Sequence, residues 1–414
     1  MTDDLLRRDA AAFFHQHGSS PCIATLRASD GIWLEDVEGR RFIDLHGNTA
    51  HHLGHRHPEI VAALRAQLDT LAFSPRRFTN EPAVLLAEKL LAHWPGMPAK
   101  VLFATGGSDA IEIALKLARV ATGRFETISL EGSYHGHGFG AFGLSQAEPD
   151  ARLGPFLPGR HHVTPYWVGE DGPARMIEDM ARIFAQSPGI SAVIAEPLRS
   201  NCHVPPLNLW PEVRRLCDVH GAKLIFDEIP SGLGKTGRFF AFEHFGVVPD
   251  AVVLGKALGG GMLPIAAVIA DARLNVAPEL ELGHYTHEKN PLTTRAALTA
   301  IEIIERDGLV ARAAHVGTRL IAGIKAMARR TPFIVKARGL GLLLAVEFDP
   351  RAWGMAPGVT FTDRLVDACF AQGLSTTSKG PVSIGLSLPL IVTDDEANDV
   401  LARLARLVLA AACS

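Results

Sequence analysis

Short apolar runs alternate with amphipathic stretches across the middle of the chain, between residues 100 and 270. Runs rich in Val, Ile, Leu and Ala predict buried strands, and apolar residues three and four positions apart predict the helices between them. The predicted strands cover residues 100–105, 126–130, 191–197, 222–228, 251–256 and 265–270. The predicted helices among them cover residues 108–121, 174–185 and 209–220. This alternation indicates a parallel sheet with helices on both faces.

The two ends of the chain show helical periodicity as well. A stripe of apolar residues in 58–71 is formed by Ile60, Leu64, Leu68 and Leu71. Further helices are predicted over 291–306, 309–330 and 394–411, with a strand over 340–348. We therefore predict an α/β protein with a large domain, residues 58–306, that carries a mostly parallel central sheet. A smaller α+β domain would combine both chain ends, residues 1–57 and 307–414.

Composition narrows the class of protein. The chain has 414 residues, 47% of them apolar, which is enough for a large core. The 41 Lys and Arg residues against 44 Asp and Glu give a net charge of -3, so no basic field is available for nucleic acid. The five cysteines are odd in number and form no CxxC pair, which argues against disulfides and a thiolate zinc site. A reducing compartment fits this usage, and we expect a cytoplasmic protein.

One segment, residues 251–270, is apolar enough to suggest a membrane span. It contains a single charge, Lys256, and its three consecutive glycines and Pro264 would interrupt a helix. Two buried strands around a glycine loop explain the segment better. The amino terminus shows no secretory signal, so we expect no membrane association.

A glycine pair precedes the first central helix. Gly106 and Gly107 follow the strand over 100–105 and lead into Ser108 and Asp109. Amide N–H groups at a helix N-terminus favour an anion, so these residues are candidates for a phosphate cradle. A tight turn capped by Ser108 or Asp109 is the alternative explanation.

Two acidic residues, Asp227 and Glu228, end the strand over 222–228. A carboxylate at the carboxyl end of a central strand can meet the protonated nitrogen of a ligand, although it can also cap the following turn. The next residues are similar to the nucleotide-binding motif GxxxxGK[ST]. That motif requires glycine at the position of Ile229, so we reject it.

Lys256 lies between an apolar strand and three glycines. Burial would lower the pKa of its amine and keep part of it neutral, as Schiff-base chemistry requires. A lysine that snorkels from a strand end is the structural alternative. Together, an anion cradle, an aspartate and a buried lysine meet the three needs of pyridoxal 5′-phosphate: phosphate anchoring, a partner for the pyridinium nitrogen and a Schiff-base amine.

An ordered set of motifs extends this match along nearly the whole chain. The set comprises Gly107-Ser108-Asp109-Ala110-Ile111-Glu112, Tyr134-His135-Gly136, Glu196-Pro197, Asp227-Glu228-Ile229, Lys256, and Thr286 before Asn290-Pro291. It resembles the class III aminotransferase family of fold type I. The resemblance implies the fold of the pyridoxal-phosphate-dependent transferases of that type.

The resemblance also implies roles for individual residues. Ser108 and the amides of Gly107 and Ser108 would hold the cofactor phosphate, and Thr286 of a neighbouring subunit would reach the same phosphate. The implied assembly is therefore a homodimer with its sites at the interface. Around the cofactor ring, the implied contacts are Tyr134 on one face, Ile229 on the other, Asp227 at the ring nitrogen, Lys256 at the aldehyde, and nearby His135 and Glu196. The implied catalytic residues are Lys256, Asp227 and Tyr134.

The chain departs from the family pattern at two positions. Family members that use 2-oxoglutarate usually carry an arginine that binds a carboxylate where this chain has Gly385. Glu288 and Lys289 replace a small glycine pair of the family. Without the arginine, no bidentate carboxylate clamp is available at that position.

Local sequences resemble a subgroup of this family, the (R)-1-hydroxy-2-aminoethylphosphonate ammonia-lyases. These sequences are SPRRFTNEP, AEPLRS, DEIPSGLGKTG and GHYTHEKNP. An aminophosphonate substrate explains the missing arginine, because it has no α-carboxylate. Its phosphonate needs positive charge, for which Arg77 and Arg199 are the preferred candidates, with Arg76 and Lys289 as further ones.

The implied reaction is elimination of water and ammonia from a hydroxy-aminoethylphosphonate to give phosphonoacetaldehyde. The alternative is an ω-aminotransferase that moves an amino group from an amine to a keto acid. A regulatory protein that binds the cofactor without catalysis is a third possibility, but no basic helix-turn-helix segment accompanies it. Histidine clusters such as His51, His52, His55 and His57 lack Cys or carboxylate partners at metal-binding spacing, so we expect no metal.

Overall fold

The computed structural model describes residues 2–16, 22–146 and 150–412. The first part of the chain forms α1 (Thr2–Ala12), β1 (Leu26–Asp30), β2 (Trp33–Asp36), β3 (Arg41–Asp44), α2 (Pro58–Thr70) and α3 (Glu81–Ala92). The middle forms β4 (Ala99–Ala104), α4 (Gly107–Thr122), β5 (Glu126–Leu130), α5 (Phe139–Phe142), β6 (Arg160–Val163), α6 (Gly172–Gln186), β7 (Ile190–Ala195), α7 (Leu209–His220), β8 (Lys223–Asp227), β9 (Ala251–Leu254) and β10 (Ala266–Asp271). The last part forms α8 (Pro291–Arg306), α9 (Leu309–Ala328), β11 (Ile334–Leu340), β12 (Leu343–Phe348), α10 (Val359–Ala371), β13 (Leu374–Ser375), β14 (Ser383–Ser387) and α11 (Asp394–Ala412).

The middle of the chain forms a seven-stranded sheet in the order β4-β10-β9-β8-β7-β5-β6. β10 is antiparallel to both of its neighbours, and the pairs from β9 to β6 are parallel. Every residue of β7 and of β9 is buried, as expected where helices cover both faces of a parallel sheet. The predicted α/β class with a mostly parallel central sheet is confirmed.

The two ends of the chain share a second sheet, in the order β1-β2-β3-β13. The parallel pairing of Leu374 with Ile43 joins the last part of the chain to the first. β11, β12 and β14 form a third, antiparallel sheet. Both ends therefore fold together, while the domain boundaries at residues 57/58 and 306/307 stay a prediction.

One predicted strand has the wrong bounds. Residues 340–348 are not one strand, because β11 ends at Leu340, a turn follows at Gly341, and β12 begins at Leu343. The predicted helix over 58–71 is present as α2, and its apolar stripe is partly exposed: Ile60 is inaccessible to solvent, but Leu68 and the adjoining Leu71 are 56% and 40% exposed. Burial of all four side chains would require a further surface beyond this chain.

The apolar segment 251–270 forms β9, a glycine-rich turn and β10, as predicted. Among the described residues, no helix is both long and apolar enough to cross a membrane.

Candidate active site

A cavity of about 170 Å³ lies beside the carboxyl end of β8 and the N-terminus of α4. Its lining consists of Gly107, Ser108, Tyr134, His135, Gly136, Glu196, Ser200, Asp227, Ile229, Pro230 and Lys256. Every predicted cofactor residue except Thr286 is therefore brought to one place. These residues are far apart in sequence, and they meet because the carboxyl ends of parallel strands lie at one edge of the sheet.

The N-terminus of α4 forms one wall of the cavity. Gly106 is extended and the helix begins at Gly107, so the first amide N–H groups have no partner within the helix. The Oγ of Ser108 accepts a hydrogen bond from the His137 amide at 3.0 Å. Gly136 has a φ of +121°, and a Cβ on it would lie 2.3 Å from Ser108 Oγ. Only glycine lets this strand-end loop come so close to the helix, which produces a cradle for an anion.

Ile229 packs against the same wall. A Cβ on Gly107 would lie 2.7 Å from its Cδ1 atom, and a Cβ on Gly255 would lie 3.3 Å from its Cγ2 atom. The two glycines thus make room for the Ile229 side chain between the start of α4 and the end of β9. This places an apolar surface inside the cavity, next to the anion cradle.

Asp227 lies at the end of β8 and is buried. Its Oδ2 atom accepts a hydrogen bond from Nδ1 of the equally buried His135 at 2.8 Å, and its Oδ1 atom accepts from the Ile229 amide at 3.1 Å. The other ring nitrogen of His135, Nε2, is buried and has no hydrogen-bond partner among the described residues. Asp227 is therefore a fixed carboxylate that faces the cavity and can meet a cationic nitrogen.

Glu228, the neighbouring acid, has a structural role instead. It is buried and accepts hydrogen bonds from the amides of Ala241 and Phe242 at 2.6 and 2.7 Å. Burial raises its pKa to about 8. The two neighbouring acids thus have different surroundings: Glu228 caps a turn, and Asp227 faces the cavity.

Lys256 follows β9 and the extended Gly255. Its φ is +45°, in the left-handed region that non-glycine residues seldom adopt and that costs of order 1–3 kcal/mol. Burial lowers the pKa of its amine, the charges of Asp227 and Glu196 oppose this shift, and the charges of Lys379 and Arg199 add to it. The net result is an amine that is more often neutral than an exposed lysine, and therefore more nucleophilic.

Tyr134 lies at the mouth of the cavity and is 47% exposed. Its ring makes an edge contact with His137, with the ring centroids 5.5 Å apart. Burial and the charge of Asp227 raise the pKa of its phenol. Its predicted place on one face of the cofactor ring stays a prediction.

Of the residues predicted to bind the substrate, Arg199 already has partners within the chain. Its guanidinium forms an ion pair with Glu196, donates to the Gly132 carbonyl at 2.7 Å, and lies 5.6 Å from the ring centroid of Trp167. Arg77 is exposed and does not line the cavity. Their contact with substrate stays a prediction, and Arg199 would have to share its charge with Glu196.

Thr286 and Arg76 lie outside the cavity that contains Lys256. Thr286 is exposed and does not line the cavity of its own chain. Arg76 lines a different cavity, of about 340 Å³, with Glu281 and Glu288. A contact between Thr286 and the cofactor phosphate therefore depends on a second subunit.

The structure adds a site residue that the motifs did not reveal, Ser200. It lines the cavity, and its amide donates to Glu196 at 3.1 Å. Its position three residues after the Glu196-Pro197 pair that follows a strand was the available signal in the sequence.

These features define an enzyme that binds pyridoxal 5′-phosphate: an anion cradle at a helix N-terminus, a buried carboxylate and a lysine of lowered pKa around one cavity. The family description "Aminotransferase class-III" matches residues 14–408. The chain therefore belongs to the class III aminotransferase family, and its cofactor is pyridoxal 5′-phosphate.

Two curated relatives illustrate the range of the family. The chain is 36% identical to the (R)-1-hydroxy-2-aminoethylphosphonate ammonia-lyase of Vibrio splendidus, over 95% of this chain and 88% of that protein. It is 34% identical to a 5-aminovalerate aminotransferase of Pseudomonas aeruginosa, over 97% of each.

Solved structures agree with the predicted fold type. A transaminase from the marine bacterium Virgibacillus superposes with a TM-score of 0.91 at 26% identity, over 99% of both chains. An amine transaminase from an uncultivated Pseudomonas species, determined with pyridoxal phosphate bound, gives a TM-score of 0.87 at 28% identity, over 97% of this chain and 99% of that one. The predicted family, fold type and cofactor are confirmed.

Proposed function

We propose that this chain is an ammonia-lyase of phosphonate catabolism that converts a hydroxy-aminoethylphosphonate to phosphonoacetaldehyde and ammonia. Two observations support the proposal: the resemblance to the Vibrio ammonia-lyase, and the glycine at position 385. Gly385 is the observation that carries the proposal, because this position determines which anionic group the site can bind.

Gly385 lies in the middle of β14, paired with Ala345 of β12. Its amide donates to the Thr377 carbonyl at 2.9 Å, and its own carbonyl accepts from the Thr376 hydroxyl at 2.6 Å. A Cβ on Gly385 would lie 2.9 Å from Cε of Lys379, so a lysine side chain fills the space above the glycine. The position therefore offers no guanidinium to clamp the carboxylate of a keto acid, and this favours a reaction that needs no such acceptor.

The site residues have defined tasks in this reaction. When it is bound, pyridoxal phosphate would supply an electron sink for the breaking of the C–H bond next to the substrate amine. Lys256, through Nζ, removes that proton from the amine-bearing carbon. Asp227, held by His135, would keep a proton on the ring nitrogen of the bound cofactor.

Elimination differs from amino-group transfer in the fate of the electron pair released by C–H cleavage. The C–O bond on the neighbouring carbon breaks, its electron pair leaves with hydroxide, and a C=C bond forms between the two carbons. The released enamine becomes an imine by moving one proton to carbon. One water adds to the imine carbon and ammonia leaves, so the water lost in elimination is regained in hydrolysis. No oxidant, reductant or amino acceptor is consumed.

We also propose that the enzyme works as a homodimer. Thr286 is exposed in a single chain, as are Leu68 of α2 and Leu71 just beyond it. Leu280 is also exposed and borders the cavity of about 340 Å³ described above. Exposed apolar side chains of this kind are typical of surfaces that a partner covers.

The decisive experiment measures products with and without a keto acid. The holoenzyme is incubated with racemic 1-hydroxy-2-aminoethylphosphonate, and ammonia and aldehyde are quantified. We expect both in equal amounts, with rates unaffected by pyruvate or 2-oxoglutarate. Strict dependence on a keto acid, together with its conversion to an amino acid, would establish the aminotransferase alternative instead.

A further inference from the structure

Two segments from opposite ends of the chain meet beside Lys379. The Leu45 amide, just beyond β3, donates to the Ser375 carbonyl at 2.8 Å, and the Leu45 carbonyl accepts from the Ser387 amide at 2.9 Å. His46 is the next residue, so it lies between β13 and the end of β14. The loop that joins β13 to β14 contains Lys379.

The backbone of this loop fixes the position of Lys379. Its amide donates to the Ser383 carbonyl at 2.8 Å, and its carbonyl accepts from Arg338 at 3.1 Å. The side chain then passes over Gly385, with Cε, Cγ and Cδ at 2.9, 3.2 and 3.7 Å from where a Cβ on that glycine would be. Any larger residue at position 385 would have to displace it, so the glycine and the lysine are spatially complementary.

The ammonium group of Lys379 is not neutralised. Within the part of the chain that the structure describes, it makes no hydrogen bond and no ion pair, although the side chain is half-buried. Arg199 differs in this respect, because Glu196 neutralises it. A half-buried cation without a counter-ion is a natural place for an anionic ligand.

The positive charge of Lys379 acts electrostatically on His46 and on Lys256. Burial lowers the pKa of His46, and Lys379 is the next contributor, lowering it further. The same charge also lowers the pKa of Lys256. Lys379 is thus close enough to the cofactor-binding lysine for its charge to act on a ligand bound there.

We propose that Lys379 is the counter-ion of the substrate's phosphonate group, a specificity-determining residue that occupies the space above Gly385. The proposal rests on the proposed function, from which it takes the phosphonate. A phosphonate dianion has three acceptor oxygens, and a lysine ammonium can bind it through its three N–H donors and its compact positive charge. A planar carboxylate is served better by the paired donors of an arginine, which this position lacks.

The test measures binding, so that it does not depend on elimination. Holoenzyme is titrated with 2-aminoethylphosphonate, which lacks the hydroxyl group and cannot lose it, and the change in the visible absorption band of the cofactor gives Kd. Propylamine, in which a methyl group replaces the phosphonate, is the uncharged comparison. The variants are Lys379→Gln, Lys379→Arg and, as a matched control, Lys325→Gln on the exposed surface of α9.

We expect Lys379→Gln to raise the Kd for 2-aminoethylphosphonate at least about 10-fold, the scale of a lost hydrogen bond to a charged group. Its Kd for propylamine should not change, which also shows that the variant is folded and loaded. Lys379→Arg keeps the positive charge and should restore most of the affinity, and Lys325→Gln should match the wild type.

Two outcomes would overturn the assignment. One is an unchanged Kd for 2-aminoethylphosphonate in Lys379→Gln. The other is equal weakening of both ligands, which would mean a general structural effect. A wild type that binds 2-aminoethylphosphonate through Lys379, but releases no ammonia from the hydroxylated compound, would refute the proposed reaction and leave the binding residue in place.

Discussion

The imidazole Nδ1 atom of His135 lies 2.8 Å from the Oδ2 atom of Asp227, and both side chains are shielded from solvent. One residue follows β5 and the other ends β8, so the contact joins two loops that are distant in sequence. The pair holds the carboxylate in the orientation in which it faces the cavity.

We expect His135→Ala to lower the free energy of unfolding by about 1.5–3 kcal/mol, because a buried carboxylate loses a charge-assisted hydrogen bond. Chemical denaturation measures the effect. His135→Asn can still donate to Asp227 and should recover part of the loss. Equal stability of His135→Ala and the wild type would show that the contact contributes nothing.

Asp227→Asn should fold and bind cofactor, but lose about 10²–10³-fold in kcat, the scale of removing one preorganised electrostatic partner. An amide cannot keep the ring nitrogen protonated. Steady-state kinetics and the cofactor content of the purified variant test this together. Wild-type turnover in a fully loaded variant would remove Asp227 from the mechanism.

Lys256→Ala should abolish turnover and the amine-sensitive visible band of the holoenzyme, because no other lysine lines the cavity within the described residues. Absorption spectra before and after addition of an amine provide the measurement. Lys325→Ala, which changes an exposed lysine, should keep both properties. A normal band and normal activity in Lys256→Ala would show that another amine binds the cofactor.

Lys235 predicts a pH dependence of stability. It is fully buried, donates to the Leu388 carbonyl at 2.5 Å, and burial lowers its pKa to about 7 from an ordinary value of 10.5. Between these two values the unfolded chain binds a proton that the folded chain does not, so the stability of the folded state rises with pH, by at most about 1.4 kcal/mol per pH unit.

Lys235→Met removes this group and keeps most of its volume. The free energy of unfolding of the wild type minus that of the variant should be constant below pH 7 and increase from about pH 7 towards 10. Urea denaturation at several pH values measures the difference. A pH-independent difference would mean that Lys235 keeps an ordinary pKa in the fold.

Gly385→Arg should weaken 2-aminoethylphosphonate binding, because the new side chain needs the space that Lys379 occupies. The flexible end of the lysine can move, so the variant should fold and keep its cofactor. It should also gain affinity for β-alanine, which carries a carboxylate in place of the phosphonate. Titration with both ligands checks the exchange, and unchanged affinities would show that position 385 does not face the ligand.

Sequence reasoning predicted correctly the helices whose ends are set by local capping residues. α7 and α8 have the predicted bounds, since a glycine ends the first and Asn290 with Pro291 begins the second. The edge strand β6 was missed because its residues, Arg-His-His-Val, have no apolar run. The hairpin at Gly341 was missed because the tight turn lies inside a continuous apolar stretch.

The residues that the structure brings around the cavity could be proposed from the sequence because most of them follow a recognisable strand or begin a recognisable helix. Lys379 could not, since it belongs to a loop without a motif. Its significance arises only when Leu45, Ser375 and Gly385 come together through pairings between the two ends of the chain. Such long-range contacts leave no local pattern in a single sequence.

The pairing of β3 with β13 has a consequence for synthesis on the ribosome. β3 is made long before its parallel partner at Leu374, because the whole seven-stranded sheet lies between them in the chain. The Leu45 backbone likewise waits for Ser375 and Ser387. The seven-stranded sheet can therefore assemble before residues 373–387 are made, but the side of the pocket that contains His46 and Lys379 is completed only once those residues have joined β3.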